Sequence, residues 1–292
     1  MEWLQILPLQ DLVAQVEPSR NIFVESLQGI VLGFVQGMTE FLPISSTAHL
    51  IIFTDIFGWQ ETWSKAAIDG IQFGSVIAVV MYFWKDIQQI LGGGLAAFQT
   101  KDWQREEWKI LAGIAIGTVP ALAIGFIVKK FGLMQESAAV IAVMSIVMGI
   151  LLGLAEKIGR RKRGFESLQI FDGFLVGCGQ TIALLPGASR SGSTLTTALF
   201  LGLTRETAAR FSFLLGIPTL TIATLVQTKD VLKEGHMLLP MLIGIVSAFV
   251  FSYLSIAWLL RFLQRQSTWI FVWYRLALGV TLLIAIASNT LK

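Results

Sequence analysis

The chain has 292 residues, of which 54% are hydrophobic and 14% charged, against about 25% charged in an ordinary soluble domain. With a mean hydropathy of +0.71, its 22 basic and 19 acidic residues could not cover the apolar surface in water, which excludes soluble, disordered and disulfide-rich secreted classes and leaves a bilayer as the solvent. The small net charge of +3, without a dense basic tract, argues against a nucleic-acid partner.

Residues 1–21 carry Glu2, Asp11 and Glu17 and no basic start, unlike a cleavable signal, and Leu4, Leu7, Val13 and Val16 suit an interfacial helix. The rest, 22–292, reads as a single all-α polytopic membrane domain. Its first apolar region, Ile22 to Phe57, is broken at Phe41-Leu42-Pro43-Ile44-Ser45-Ser46-Thr47. Proline ends or kinks a helix, so this region is expected to be a re-entrant hairpin of two short helices joined at membrane depth. Ala66 to Trp84, interrupted by Asp69, is a full span, as are Ile110 to Val128 and Ser137 to Ala155. A second broken region, Gly173 to Leu201, has its interruption at Leu185-Pro186-Gly187-Ala188-Ser189-Arg190-Ser191-Gly192-Ser193 and contains the lone Cys178, read as a small core residue. Phe211 to Thr228, Met237 to Leu260 and Trp269 to Ser288, the last carrying Arg275, complete six transmembrane helices and two re-entrant hairpins. Asp69 and Arg275 are expected to pair with one another or to snorkel, Arg210 to sit at headgroup level, and His236 to lie in an outer loop.

On this layout one side collects 12 basic residues, five of them between Lys157 and Arg163, and the other side 7. The positive-inside rule puts the first set in the cytoplasm, so the first hairpin enters from outside and the second from the cytoplasm.

The halves resemble each other. Gly29-x3-Gly33-x2-Gln36 recurs as Gly173-x3-Gly177-x2-Gln180 at an offset of 144, each copy running into Leu-Pro and a serine-rich break. Ile71-Gln72-Phe73-Gly74 faces Phe213-Leu214-Leu215-Gly216, and Lys85-Asp86 faces Lys229-Asp230. Repeat one covers about 22–128 and repeat two about 167–260, with 137–155 and 269–288 as additional spans. Three crossings separate the hairpins, so the repeat is inverted, an architecture found in many secondary transporters. Glycines four apart equally suit close helix packing in lipid.

The chemistry gathers at the breaks. Glu40 lies one turn after Gln36 and is followed by Ser45, Ser46, Thr47 and His49. A carboxylate at membrane depth costs about 2.5–3.5 kcal/mol on insertion scales, so it needs a partner or a cavity. Arg190 is the basic residue of the second break. If the tips meet, a fork of N–H donors joins an acid/base, hydroxyls and an imidazole, a set that fits a phosphate ester or anhydride. Ser193 and Thr194 open the next helix, whose N-terminal N–H groups favour anions. The blander alternatives are a structural Glu40–Arg190 ion pair, and Ser45 and Ser189 acting as helix caps.

Residues Gln36 to His49 and Pro186 to Thr194 resemble the two signature motifs of the bacterial undecaprenyl pyrophosphate phosphatases of the BacA type. Leu203 to Leu215 resembles a further stretch of that family. The resemblance implies removal of the terminal phosphate of a C55 isoprenoid diphosphate at the outer face of the bacterial inner membrane, dependence on Mg or Ca, and bacitracin resistance. Gln36 stands where many members have Glu, leaving Glu40 as the carboxylate for metal or proton work, and Ala48 replaces a common Gly. By the resemblance, Ser46 is the nucleophile, Glu40 and His49 are acid/base or metal-side groups, and Arg190 is the diphosphate clamp. Gln36, Ser45, Thr47, Ser189, Ser191, Ser193 and Thr194 would bind substrate. The residues leave open whether His49 is the base for Ser46 or itself the nucleophile. Expected partners are the polyprenyl diphosphate and membrane lipids, with a homodimer allowed. The competing reading is a transporter or flippase, which needs a binding Arg but no Ser, His and Glu together.

Overall fold

The apolar runs fold as helices because lipid offers no partner for an unpaired backbone N–H or carbonyl. A computed structural model describes residues 21–132, 137–231 and 237–288, with eleven α-helices and no strand among them. In order they are α1 (Ile22–Glu40), α2 (Ser46–Ile56), α3 (Lys65–Tyr82), α4 (Trp84–Thr100), α5 (Glu106–Phe131), α6 (Ala138–Ile158), α7 (Ile170–Gln180), α8 (Arg190–Phe200), α9 (Arg205–Val231), α10 (Leu238–Arg265) and α11 (Trp269–Ala287). Side-chain caps start several of them: Asn21 accepts from Phe23 N at 3.1 Å, Ser64 from Ala67 N at 3.1 Å and Ser137 from Val140 N at 3.2 Å. The interfacial helix expected in 1–21, the outer-loop placement of His236 and the side chains of Lys229 and Asp230 lie outside the described residues.

The six expected spans coincide with α3, α5, α6, α9, α10 and α11. Among the described residues seven helices are long and apolar enough to cross a membrane, because α1, with 19 residues, also qualifies. One helix was not expected: α4 occupies what reads as a polar loop. It holds through tertiary contacts, with Ile90 in the core and Asp86 paired to Arg210, whose guanidinium lies 4.2 Å from the Phe165 ring centre.

Small residues let backbones touch. α1 packs along α10 and α7 along α5, and a Cβ on Gly33 would collide with the Gly244 carbonyl, as one on Gly177 would with that of Gly117. The glycine repeats therefore do the packing work that their spacing suggests.

Two ends of the molecule can be told apart by their contacts. At one, buried Glu156 accepts from Arg161 at 2.6 Å, from Thr268 at 2.8 Å and from Arg205. There too, Arg163 ties Asp172 of α7 at 2.9 Å to the Leu201 carbonyl after α8 at 3.2 Å, and the Asp172 bond holds this guanidinium above its ordinary pKa. At the other end, Trp63 donates to Gln28 of α1 at 2.9 Å and Gln227 of α9 donates to Asp69 of α3 at 2.9 Å.

The expected link of Asp69 to Arg275 is not formed. Arg275, 1% exposed, instead donates to carbonyls of Pro43 (3.0 Å), Gly187 (2.9 Å), Ala188 (3.1 Å), Met144 (3.2 Å) and Ser145 (3.3 Å). The two breaks and α6 thus share one guanidinium. Breaks expose carbonyls that no helix satisfies, and five donors on a rigid fork answer that need better than a carboxylate would.

Candidate active site

Each break ends in a serine with positive φ, +75° at Ser45 and +71° at Ser189. Such backbone costs about 1–3 kcal/mol per residue and persists only when its surroundings enforce it. Arg275 does so, gripping Pro43 two residues before one serine and Ala188 directly before the other. Both serines then cap the following helix: Ser45 accepts from Ala48 N at 3.4 Å and Ser189 from Gly192 N at 3.1 Å.

The two broken regions also make matching side-chain hydrogen bonds. Gln36 donates to Ser75 at 3.4 Å and Gln180 to Thr219 at 3.0 Å, each partner 39 residues further on. Ser75 and Thr219 are thus also 144 apart, whereas Gly74 and Gly216, alike in their local sequences, are not. The two glycines do different things. Gly74 lies against the α10 backbone, whereas a Cβ on Gly216 would collide with Arg190 Nη1.

The tips meet. Arg190 Nη2 donates to Glu40 Oε1 at 3.3 Å, while Glu40 Oε2 accepts from Gln36 Nε2 at 3.1 Å and from Ser46 Oγ at 2.7 Å. Ser191 Oγ knits the breaks by donating to the Leu42 carbonyl at 2.9 Å. Arg190 stands 5.8 Å over the Phe41 ring, and its buried Nε and Nη1 have no hydrogen-bond partner among the described residues. Glu40 is 8% exposed and Gln36 2%, so the cluster is shielded from bulk solvent and its charge interactions are strong.

A cavity of about 520 Å³ opens from this cluster, lined among others by Gln36, Glu40, Ser46, Thr47 and Arg190 and, toward the Gln28–Trp63 end, by Lys65 and Gln227. This part of its wall is thus toward the end opposite the Glu156 cluster. Ser45 and Ser189 line it with hydroxyls already used as caps.

Four expected site residues are not on its wall: His49, Ser191, Ser193 and Thr194. The α8 backbone N–H groups of Gly192 and Ser193 are taken by Ser189, which restricts the expected anion site at this helix start. Thr194 bonds the Arg190 carbonyl of its own helix at 2.9 Å, and His49 turns away toward Tyr274. Residues that sequence reasoning did not place at the site are Ser75, Thr219 and Tyr274, which carry no motif, and Gly216, which entered only through its likeness to Gly74. Arg275 was visible as a charge in an apolar helix.

The model of the family described as bacitracin resistance protein BacA matches residues 29–281, a range holding both breaks. The chain belongs to the BacA family. Relatives named undecaprenyl-diphosphatase include one of Thermosynechococcus vestitus, 64% identical over 266 residues, covering 91% of this chain and 97% of the relative. A second, of a Nostoc species, is 52% identical over 274 residues, covering 91% and 85%. A third, of Synechococcus elongatus, is 49% identical over 273 residues, covering 91% and 94%. BacA membership agrees with the resemblance of the two break motifs, and these breaks are where Glu40, Ser46 and Arg190 converge.

Among the described residues no three or more His, Cys, Asp or Glu gather as a metal site. One carboxylate and one amide oxygen fit Mg or Ca only as a companion of bound phosphates, which is how Mg is commonly held.

Proposed function

We infer that this BacA protein is a membrane-embedded hydrolase that converts undecaprenyl diphosphate to undecaprenyl phosphate, recycling the lipid carrier of cell-wall glycan synthesis and giving bacitracin resistance when abundant. The observation that carries this reading is the Ser46–Glu40–Arg190 cluster inside a cavity, in a chain related over most of its length to undecaprenyl-diphosphatases.

Phosphoryl transfer asks mainly for positioning and for neutralisation of the oxygens of the moving group. Arg190 supplies the planar donor fork, backed by Phe41. Ser46 Oγ attacks the terminal phosphorus and passes its proton to Glu40, to which it already donates at 2.7 Å. The bond to the bridging oxygen breaks, and the lipid monophosphate leaves with the electron pair and takes the proton back from Glu40. Water then attacks the phosphoserine and gives a proton to the freed carboxylate, which returns it to Ser46 Oγ as the bond to phosphorus breaks and inorganic phosphate departs. Gln36 fixes the carboxylate by its amide bond. A divalent cation brought by the diphosphate, held by Glu40 and the Gln36 amide oxygen, would neutralise phosphate charge.

The two broken regions are re-entrant and related by inverted topology in a bacterial inner membrane, with the mouth of the cavity toward the outer face. In support, the basic Glu156 end lies opposite the Lys65 and Gln227 wall of the cavity, and the cap and glutamine hydrogen bonds recur in both halves. The cavity of about 520 Å³ suits a headgroup and the first isoprene units, so the remaining tail lies in lipid.

Purified protein in detergent, given a short-chain prenyl diphosphate and Mg, is expected to release inorganic phosphate, and absence of release would overturn the reading. For the orientation, Arg161→Cys and Lys129→Cys, each in a Cys178→Ala background, should label from opposite sides, Lys129→Cys from outside. Equal access of an impermeant reagent to both would refute the layout.

A further inference from the structure

His49 lies behind the cavity wall, between α2 and α11, and its two ring nitrogens make two different bonds. Nδ1 is 2.7 Å from the Ser45 carbonyl oxygen. A carbonyl only accepts, so Nδ1 carries the proton and Nε2 is left as an acceptor. Nε2 takes the Tyr274 O–H at 2.5 Å, and the two rings stack with centroids 5.6 Å and planes 13° apart. The Ser45 carbonyl also accepts the His49 backbone N–H at 3.3 Å, so side chain and backbone hold the same oxygen.

Ser45 is the positive-φ residue directly before Ser46. A small rotation there would swing Ser46 Oγ off Glu40. Tyr274 is the neighbour of Arg275, which grips the Pro43 carbonyl on the other side of the same serine. The second copy gives the comparison. Its equivalent of His49 is Ser193, whose buried hydroxyl has no partner among the described residues, yet Ser189 holds nearly the same φ. The imidazole is therefore not needed to form the turn, and the half that has it is the half with Ser46.

We propose that Tyr274 is a positioning residue of the phosphoryl transfer, acting through His49 on Ser45 and so on the aim of Ser46 toward Glu40, and that His49 transfers no proton in the reaction. This rests on the hydrolase reading above. Asparagine at 49 can place an N–H where Nδ1 stands but cannot carry a proton between groups.

Wild type, Tyr274→Phe, His49→Asn, His49→Ala and the Tyr274→Phe/His49→Asn double variant are assayed with a short-chain prenyl diphosphate and Mg. Tyr274→Phe, which keeps the stacked ring, should lower kcat on the order of tenfold with KM within about twofold, the mark of a loss felt in the transition state. His49→Asn should match it, His49→Ala should fall on the order of 10²-fold as expected of misplaced reacting groups, and the double variant should be no slower than His49→Asn. A wild-type kcat in Tyr274→Phe, or a His49→Asn variant as slow as His49→Ala, would overturn the proposal. A second measurement needs no activity: the chain has 2 histidines, so ¹⁵N-histidine NMR of a His236→Asn protein reads His49 by itself. The neutral Nδ1–H form is expected, with the Nε2 resonance moving in Tyr274→Phe, and an Nε2–H form sinks the idea. Wild-type protein that releases no phosphate would remove the hydrolase reading, and the tautomer would still decide whether the brace exists.

Discussion

Glu40→Gln is expected to reduce phosphate release by about 10²–10⁴-fold, the range that a positioned general base contributes. The amide can still accept from Ser46 but cannot take its proton, and Glu40 Oε2 is the acceptor aligned with Ser46 Oγ at 2.7 Å. Gln36→Glu should remain active, since Gln36 meets Glu40 through an N–H and otherwise faces Ser75, although two neighbouring carboxylates would alter the response to metal. Ser46→Ala should abolish turnover and leave substrate binding measurable. Rapid quenching with labelled diphosphate separates the routes: phosphoserine is acid-stable and alkali-labile, whereas a phosphoramidate on His49 would be acid-labile and would reassign the nucleophile. If no quench traps phosphoprotein and Ser46→Ala is merely slowed, water attacks directly with Glu40 as its base. An active Glu40→Gln enzyme with unchanged metal dependence would defeat both versions.

Arg190→Lys should lose activity on the order of 10²-fold or more while remaining folded, because a point-charge ammonium cannot reproduce a planar bidentate fork. Gly216→Ala offers an independent approach to the same group. The new methyl would meet the far end of the Arg190 side chain and no backbone atom of another helix, so the helices stay packed and the guanidinium is displaced. Both variants should therefore show near-normal melting and depressed phosphate release. Normal turnover in Arg190→Lys would reduce Arg190 to a structural partner of Glu40, and normal turnover in Gly216→Ala would show that the guanidinium does not need this berth.

Much of the fold can be read from the chain because lipid imposes coarse rules: length, absence of charge and broken runs. α5, α6, α9 and α10 extend a few residues past the predicted spans, since helices continue into the interface beyond the apolar run. α4 escapes those rules. Trp84–Thr100 contains Lys85, Asp86 and three consecutive glycines at 92–94, poor helix formers, and it is held by Ile87 and Ile90 packing into the core. The meeting of Glu40 and Arg190 is legible because isolated charges at that depth are too costly to stand alone. Arg275 shows the limit of that argument. Its charge is conspicuous, but its partners are carbonyls, which every residue has and no residue type announces. Tyr274 gives no signal at all, since an aromatic on a lipid-facing helix is ordinary, and Gly216 shows only as a local likeness to Gly74, which says nothing of Arg190.

The order in which the polypeptide is made adds a consequence to this packing. α1 leaves the ribosome early, yet the surface that fits its glycines belongs to α10, and the arginine that grips both breaks belongs to α11. Nascent chains that stop before α11 would carry every residue of the Glu40 cluster but not the guanidinium that joins the breaks. Assembly of the site thus waits for α11: the breaks are joined only once that helix has been made, and chains that stop between the second signature motif and α11 should be inserted but inert.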